Sequence, residues 1–423
     1  MLAGSNMQSM QSVTRAIGIG YLLICLLALL ATAFVGPVGD APFPLPIGPA
    51  QDPVVVTIWY GTEKRQWFED AAQRFAATNP RVGNRPIQVV LRGIGSRELA
   101  VRAARREFGG DGQPTVISPA SSMWVEVART DWAALNPGTP SFITENPGQV
   151  TPLALTPLVA VIWQERAELL WPQGPEDFWQ NLHAALTDRE GWIGVARARG
   201  FAPDSQEYQK ASTWGFVKFG HTSPLTSNSG AQALILMAYG YYNKSRGLTN
   251  ADVLTPEFQQ WMRDVEMAVL EFGDSTGSFM TSMVQFGPSK YDLVLVYENL
   301  ALENIVAAQN RWGDIRIYYP PATMFSDHPY AILNAPWVTP EQRQAAEQFR
   351  NFLLSPPIQE IAFRQYGFRP AIPDVPVITN DPSNPFVKYR AYGAQVDTPP
   401  LVETPSGEVV TTILDLWRRQ INR

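Results

Sequence analysis

The sequence predicts an α/β fold with two lobes, each a mostly parallel sheet flanked by helices, after one N-terminal hydrophobic helix. Three observations support this. The chain has 423 residues, which is long for a single hydrophobic core. Three strand–helix units follow one another after residue 53, and a second alternating series follows a proline-rich stretch at 135–152. Alternation of this kind is typical of parallel strands joined by helical crossovers.

The first lobe begins with a strand at 54–60, because the segment VVVTIWY is rich in β-branched and aromatic side chains. The next helix is amphipathic, since Trp67, Ala71 and Phe75 lie on one of its faces. Two similar units follow. The predicted elements of this lobe are strands at 54–60, 87–91 and 115–118 and helices at 63–78, 96–106 and 123–129.

The second lobe opens with an apolar strand and contains the longest polar turn of the chain, at 220–230. We expect the chain to cross between lobes near Thr156 and Pro157 and to return near 315–319. The predicted elements are strands at 156–164, 214–219, 291–297 and 315–319, helices at 178–186, 231–242, 256–272 and 298–309, closing helices at 340–354 and 358–366, and a last helix at 409–421.

Residues 16–35 form an unbroken apolar run, preceded by Arg15, that is long enough to span a bilayer as a helix. Two interpretations remain open. The run is an uncleaved transmembrane anchor, or it is a signal peptide cleaved after the Ala31-Thr32-Ala33 motif. Both place the rest of the chain outside the cytoplasm, secreted, periplasmic or tethered to the membrane.

These features predict the domain organisation of the chain. The expected segments are a signal peptide or anchor at 1–35, a Pro/Gly-rich linker at 36–53, lobe 1 at 54–157 and 318–375, lobe 2 at 158–317, and a C-terminal extension at 376–423.

The composition excludes several classes of protein. A net charge of −6 argues against a nucleic-acid binder, which would normally be basic. A single cysteine, Cys25, excludes a disulfide framework and a cysteine-based zinc site. The 45% hydrophobic content excludes a disordered chain.

Small polar residues follow the predicted strands of the first lobe and begin a helix of the second. Because the carboxyl ends of parallel strands and the N-termini of helices gather ligands, we expect these residues to line a cleft between the lobes. Serine and threonine also cap helices, but their occurrence at three successive turns favours a binding site. The candidate ligand-binding residues are Thr62, Ser96, Ser118, Ser121, Ser122, Ser227, Asn228, Ser229 and Tyr297.

Other side chains leave alternatives open. Trp124 is the tryptophan most suited to line a cleft, where it would favour an organic ligand by stacking. Glu298 either faces the cleft, where it would repel an anion, or stabilises a helix N-terminus. His221 and His328 could contribute to a metal site, but their spacing fits no compact motif. We therefore predict no metal, no cofactor and, without a nucleophile elbow or phosphate-binding loop, no enzyme.

Several segments together resemble a bacterial extracellular solute-binding family with the type II periplasmic-binding-protein fold, whose members often carry a von Willebrand A-type domain. We expect only the binding module here, because no length remains for that domain. The segments that carry the resemblance are Ser118-Pro119-Ala120-Ser121-Ser122-Met123-Trp124, Phe219-Gly220-His221-Thr222-Ser223-Pro224, Ser227-Asn228-Ser229-Gly230, Gly273-Asp274-Ser275-Thr276-Gly277, Tyr297-Glu298-Asn299 and Ser326-Asp327-His328-Pro329-Tyr330.

The resemblance implies a protein that closes two lobes on a small solute, for transport or sensing, without chemical turnover. Its layout is similar to that of molybdate- and sulfate-type binders, in which hydroxyls and backbone amides hold a desolvated oxyanion. A membrane permease would be a partner. The alternative is a membrane-tethered interaction module that uses the same fold to recognise a protein.

Overall fold

The computed structural model describes residues 52–143, 150–175 and 177–421. The predicted hydrophobic segment at 1–35 and nearly all of the linker lie outside these residues. Pro53–Arg423 forms one compact unit. Within the described ranges, no helix combines the length and apolar character needed to cross a membrane.

The first sheet has the order β2-β3-β1-β4-β11-β5. Strands β1, β3 and β4 are parallel, and β11 runs against β4 and β5. The predicted strands of this lobe are therefore present. The strands are β1 (Val54–Tyr60), β2 (Arg81–Val82), β3 (Arg85–Gly93), β4 (Val116–Ser118), β5 (Val150–Pro152) and β11 (Pro329–Ile332).

The second sheet is built around one long strand, β6, that is apolar except for Thr156 and buried along almost its whole length. It runs antiparallel to β8 and β9, while β7 and β8 are parallel to each other. The strands are β6 (Ala154–Trp163), β7 (Phe219–Gly220), β8 (Leu293–Tyr297), β9 (Ile315–Tyr318), β10 (Phe325–Ser326) and β12 (Arg369–Pro370).

Sixteen α-helices lie in the described residues and cover both sheets. They are α1 (Arg65–Ala77), α2 (Ser96–Arg105), α3 (Ser122–Leu135), α4 (Gln164–Leu170), α5 (Phe178–Thr187), α6 (Trp192–Ala198), α7 (Gln206–Ser212), α8 (Asn228–Tyr241), α9 (Asn250–Val253), α10 (Pro256–Met267), α11 (Thr276–Phe286), α12 (Glu298–Gln309), α13 (Pro340–Leu353), α14 (Pro356–Tyr366), α15 (Pro385–Lys388) and α16 (Gly407–Gln420).

Two buried apolar clusters hold the layers together. One lies between β1 and helices α1, α13 and α14, and includes Trp67 and Phe349. The other extends from α2 and α3 through the second sheet to α16, and includes Trp124 and Trp417. The C-terminal helix α16 is therefore an integral part of the core, packed against α8, α9 and α10.

The chain crosses between the sheets at three places. It passes from β5 to β6 at Leu153, returns from β10 to β11 through Asp327 and His328, and passes back to the second sheet at β12. The expected return at 315–319 is not observed, because β9 pairs with β6 in the second sheet. His328 has a φ of 42°, a left-handed conformation that is rare for a non-glycine residue.

One other local prediction was wrong. The strand expected at 214–219 is reduced to β7, because Gly215 turns the chain with a φ of 72° and Phe216 is 67% exposed. The Asp274–Gly277 segment leads into α11, with Ser275 as the residue before its first turn.

Candidate functional site

The two lobes meet directly along the edge where the first sheet's parallel strands end. Gly277 N, in the first turn of α11, donates to Thr62 Oγ1 across 3.3 Å. Arg97 N, in the first turn of α2, donates to the carbonyl of Thr226 at 3.0 Å. These bonds join opposite lobes, so the structure has a closed arrangement.

Asn228 is the centre of the polar contacts between the lobes. Its Oδ1 accepts from Trp124 Nε1 of the first lobe at 2.7 Å. Its Nδ2 donates to Tyr297 OH at 2.8 Å and to Ser326 Oγ at 3.0 Å. All four side chains are buried, and burial raises the pKa of Tyr297, so that its phenol remains protonated.

Hydroxyl groups of the second lobe form a cluster beside Asn228. Ser229 Oγ lies 2.7 Å from Thr222 Oγ1 and 2.7 Å from Thr276 Oγ1. Ser227 Oγ lies 3.1 Å from the same Thr276 hydroxyl. The three predicted residues at the start of α8 therefore do lie together, and they bring Thr276, which precedes Gly277, into the same network.

The predicted serines of the first lobe have mostly local partners. Ser96 Oγ accepts from Ala120 N at 2.9 Å, and Ser121 Oγ caps α3 by accepting from Met123 N at 3.3 Å. Ser122 contributes its backbone N–H, which donates to Asp327 Oδ1 at 2.8 Å. Ser118 Oγ is buried and has no hydrogen-bond partner within the described residues.

A buried charged cluster that the sequence analysis missed lies beside Thr62. Lys64 Nζ donates to Glu63 Oε1 at 2.6 Å and lies 3.3 Å from His328 Nδ1. Burial alone would raise the pKa of Glu63, but Lys64 and His328 lower it to about 2. Burial and the Lys64 charge lower the pKa of His328 to about 4. Burial lowers the pKa of Lys64 as well, and the charge of Glu63 opposes this effect. At neutral pH the imidazole of His328 is therefore neutral, and its Nε2 has no partner within the described chain.

Glu298 lies at the N-terminus of α12, the second of the two roles considered for it, and it also takes part in a buried ion pair. Its carboxylate is buried and accepts two hydrogen bonds from Arg369, from Nε and Nη2, both at 2.8 Å. Tyr319 OH donates to the same carboxylate at 2.5 Å. The charge is therefore neutralised inside the protein and does not repel a solute in the cleft.

The two histidines considered as metal ligands lie in separate environments. His221 Nε2 is 2.9 Å from Glu266 Oε1, and Trp417 Nε1 donates to the other oxygen of that carboxylate at 2.6 Å. Although burial disfavours the charged imidazole, Glu266 raises the pKa of His221 above its usual value. Within residues 52–143, 150–175 and 177–421, no group of three or more His, Cys, Asp or Glu side chains is placed to hold a metal ion.

Two cavities flank the buried network. The larger, about 880 Å³, is bounded by α3 of the first lobe, Gln232 of α8, the β10–β11 connection and α16. Ser121, Ser122 and Trp124 line it. The smaller, about 390 Å³, lies on the Thr62 side and is lined also by Glu303, whose pKa burial raises to about 8.

Several residues of this region were not identified from sequence. Glu63 and Lys64 directly follow Thr62. Lysine is rare in this chain, so a lysine just after a buried strand could have indicated a functional position. Gln232 lies one helical turn beyond Asn228 and so shares its face. No nearby sequence pattern indicated that α16 lines the larger cavity, because its position depends on how the end of the chain packs against the rest of the protein.

Comparison with known proteins gives a consistent result. The sequence profile of the family described as bacterial extracellular solute-binding protein matches residues 56–369. No curated protein matches the chain. Among solved structures, a periplasmic thiamin binding protein has a TM-score of 0.56 at 14% sequence identity, covering 90% of this chain and 99% of its own.

Two further solved structures have the same architecture. The sulfate-binding protein SubI from Mycobacterium tuberculosis H37Rv has a TM-score of 0.50 at 15% identity, covering 83% of this chain and 94% of its own. Iron-bound HitA from Pseudomonas aeruginosa has a TM-score of 0.50 at 15% identity, covering 87% of this chain and 99% of its own. At these identities the similarity establishes the fold, a two-lobed periplasmic-binding-protein architecture.

Proposed function

The chain belongs to the bacterial extracellular solute-binding protein family, and from this premise we propose that it captures a small solute in the cleft between its lobes. The resemblance stated from sequence and the two-lobed α/β fold are both confirmed. The position of the solute and the residues that bind it are the proposal developed here.

The hydrogen bond between Trp124 and Asn228 carries the proposal. It links α3 of one lobe to α8 of the other at 2.7 Å, inside a network that also includes Tyr297 and Ser326. Trp124 borders the larger cavity as well. A group placed in that cavity would therefore contact both lobes, which is the condition for a solute to stabilise the closed arrangement.

Separation of the lobes would free these side chains for the solute. Opening breaks the Trp124–Asn228 bond and leaves an indole donor on one face and an amide on the other. Two buried polar atoms of the cleft, Ser118 Oγ and His328 Nε2, lack protein partners in the described chain even when the lobes are closed. Buried polar atoms are normally paired, so these are further candidates to receive a solute or an ordered water.

We propose binding without chemical turnover. Ser229, a fully buried serine next to Asn228, is bonded to the hydroxyls of Thr222 and Thr276 and not to an imidazole or carboxylate. A serine nucleophile requires an adjacent base that accepts its proton. Its surroundings therefore suit hydrogen bonding to a solute rather than covalent catalysis.

We also propose that the protein works outside the cytoplasm, held there by residues 16–35 or released after their removal, and passes its solute to a membrane permease of the ABC-transporter type. The apolar run after Arg15 supports export. Fractionation tests the tether: an anchored chain stays with membranes in high salt, whereas a cleaved one is recovered in solution starting at Phe34.

The test of solute capture is a binding comparison between Asn228→Ala and the matched control Asn351→Ala, an exposed position on α13. Thermal shift and calorimetry with thiamin, sulfate and an iron salt, the solutes named for the structural relatives, provide the first probes. A bound solute should lose affinity at least about tenfold in Asn228→Ala, because three hydrogen bonds between buried groups are removed, one of them between the lobes. Equal affinity in both variants would place the solute elsewhere.

A protein-recognition module remains the alternative, and one surface feature favours it. Phe286, Val306 and Trp312 are 44%, 50% and 48% exposed at the ends of α11 and α12. Exposed aromatic groups of this kind often mark interaction sites. If this alternative holds, Trp312→Ala should abolish partner binding, and no solute should raise the melting temperature.

A further inference from the structure

We infer that the solute is an organic molecule of neutral or cationic character, held in the larger cavity against a wall that includes the C-terminal helix α16, and not an oxyanion. The inference rests on the proposed function, because it concerns the same cleft. It differs from the oxyanion expected from the resemblance and adds the C-terminal extension to the binding site.

Four helix starts at which the cleft could bind an anion already have protein partners. Anions bind to the free N–H groups at helix N-termini. At the start of α3, Ser122 N donates to the Asp327 carboxylate, so a negative charge of the protein occupies that place. At the start of α2, Arg97 N and Glu98 N both donate to the carbonyl of Thr226.

Two helix starts of the second lobe, those of α11 and α12, are engaged in the same way. Gly277 N, at the start of α11, donates to Thr62 Oγ1. Asn299 N, at the start of α12, donates to Thr156 Oγ1. The buried Lys64 is paired with Glu63 and therefore leaves no excess positive charge for an oxyanion.

The larger cavity has the size of an organic-ligand site. Its volume of about 880 Å³ falls within the range of about 300–1,000 Å³ that is usual for drug-sized ligands. Apolar side chains, four of them aromatic or sulfur-containing, share its wall with twelve polar or charged side chains. Its apolar lining includes Met123, Trp124, Val127, Met324, Phe325 and Leu414.

The charges that line this cavity favour a neutral or cationic solute. Asp131 and Asp327 are acidic, and Arg418 is paired with Asp415 at 3.1 Å. Arg97 donates to the backbone carbonyl of Leu225 at 2.8 Å, which fixes its guanidinium on the second lobe. An anion entering the cavity would meet the Asp327 carboxylate, whereas a cationic group would be attracted to it.

Helix α16 offers a matched pair of positions to test the wall. Thr411 and Thr412 are neighbours, and each donates its hydroxyl to the carbonyl four residues earlier, at 2.8 and 2.9 Å. Thr411 lines the cavity, and Thr412 does not. Tryptophan at either position should perturb the helix similarly, but Thr411→Trp alone should reduce the cavity volume.

The experiment is native mass spectrometry of the purified full chain and of both tryptophan variants, followed by thermal shift with sodium sulfate and sodium molybdate. We expect the mass spectrum of the full chain to contain a non-covalently bound organic molecule. Thr412→Trp should retain this molecule, and Thr411→Trp should reduce its occupancy about tenfold or more. Neither oxyanion should shift the melting temperature. A stabilising shift with sulfate or molybdate, or an organic mass equally occupied in both variants, would overturn the inference and leave solute capture intact. No retained mass together with no shift would count against the proposed function itself.

The charge at the α3 N-terminus provides a second, independent measurement. Asp327→Asn keeps a side-chain oxygen for Ser122 N but removes the negative charge. Sulfate should then bind at least about tenfold more tightly than to the natural sequence. Unchanged sulfate affinity would show that Asp327 does not exclude anions from the cleft.

Discussion

Replacing Gly277 with alanine should hold the two lobes apart. A Cβ atom built on Gly277 lies 2.6 Å from the carbonyl oxygen of Thr62 and 3.1 Å from its hydroxyl. Ordinary contact begins near 3.4 Å, so the two backbones must separate by about 0.8 Å. The Thr62 backbone is in a tight turn after β1, and Gly277 is in the first turn of α11, so neither side can yield easily.

The size of the effect follows from this steric overlap and from the broken hydrogen bond. Overpacking of this kind costs about 1–3 kcal/mol, and removal of the Gly277–Thr62 hydrogen bond costs about 1 kcal/mol more. Because the penalty falls on the closed arrangement only, the apparent affinity for solute should fall about 30- to 1,000-fold. The thermal stability of each lobe should change little, since alanine is favoured over glycine within a helix.

Calorimetry and small-angle X-ray scattering measure these two effects. The control is Gly110→Ala, because a Cβ built there has nothing within 4 Å. Solute should bind normally to the control and should fail to compact Gly277→Ala. Full affinity and full compaction in Gly277→Ala would refute the assignment of this contact as a closure point.

Three further predictions concern other parts of the molecule. Gly95→Ala should also weaken solute binding in calorimetry, because its Cβ would lie 2.7 Å from the Thr226 carbonyl oxygen; normal affinity would contradict this. Acid should destabilise the fold through His328, whose pKa burial and the Lys64 charge lower to about 4 from its usual 6.5. The unfolded state then binds a proton that the folded state does not, so on the order of 3 kcal/mol is lost as the pH falls from about 6.5 to 4. His328→Asn, which tolerates the left-handed backbone, should flatten this loss in urea titrations, and an unchanged pH profile would exclude His328 as its source. Arg369→Ala should lower the free energy of unfolding by about 3–5 kcal/mol, because Glu298 stays buried without its partner, and a decrease below about 1 kcal/mol in urea would disprove a buried charge there.

Much of the fold could be predicted because local patterns determine it. The VVVTIWY run of β1 and the amphipathic face of the next helix are signals within a few residues, and both elements are present. The apolar helix α8 was predicted for a similar reason, but it begins at Asn228, three residues before the expected start at 231. Strands and helices can thus be predicted from hydrophobic periodicity and from capping residues wherever the residues that determine them are close together in the sequence.

The central cluster could not be predicted because its members are distant in sequence. Lys64 and His328 are separated by 264 positions, and only the crossover after β10 brings them together. The same applies to Glu298, whose partner Arg369 lies 71 residues further on. The solute-binding residues proposed from sequence and the domain boundaries remain predictions; Asn228→Ala tests one of those residues.

Small-angle X-ray scattering on one preparation, before and after its solute is removed and then restored, tests most directly whether the two lobes close on the solute. The radius of gyration should rise when the solute is stripped from the protein and should return to its lower value when the solute is restored. Asn228→Ala should remain in the expanded state under both conditions. An identical radius of gyration with and without a demonstrably bound solute would contradict capture between closing lobes.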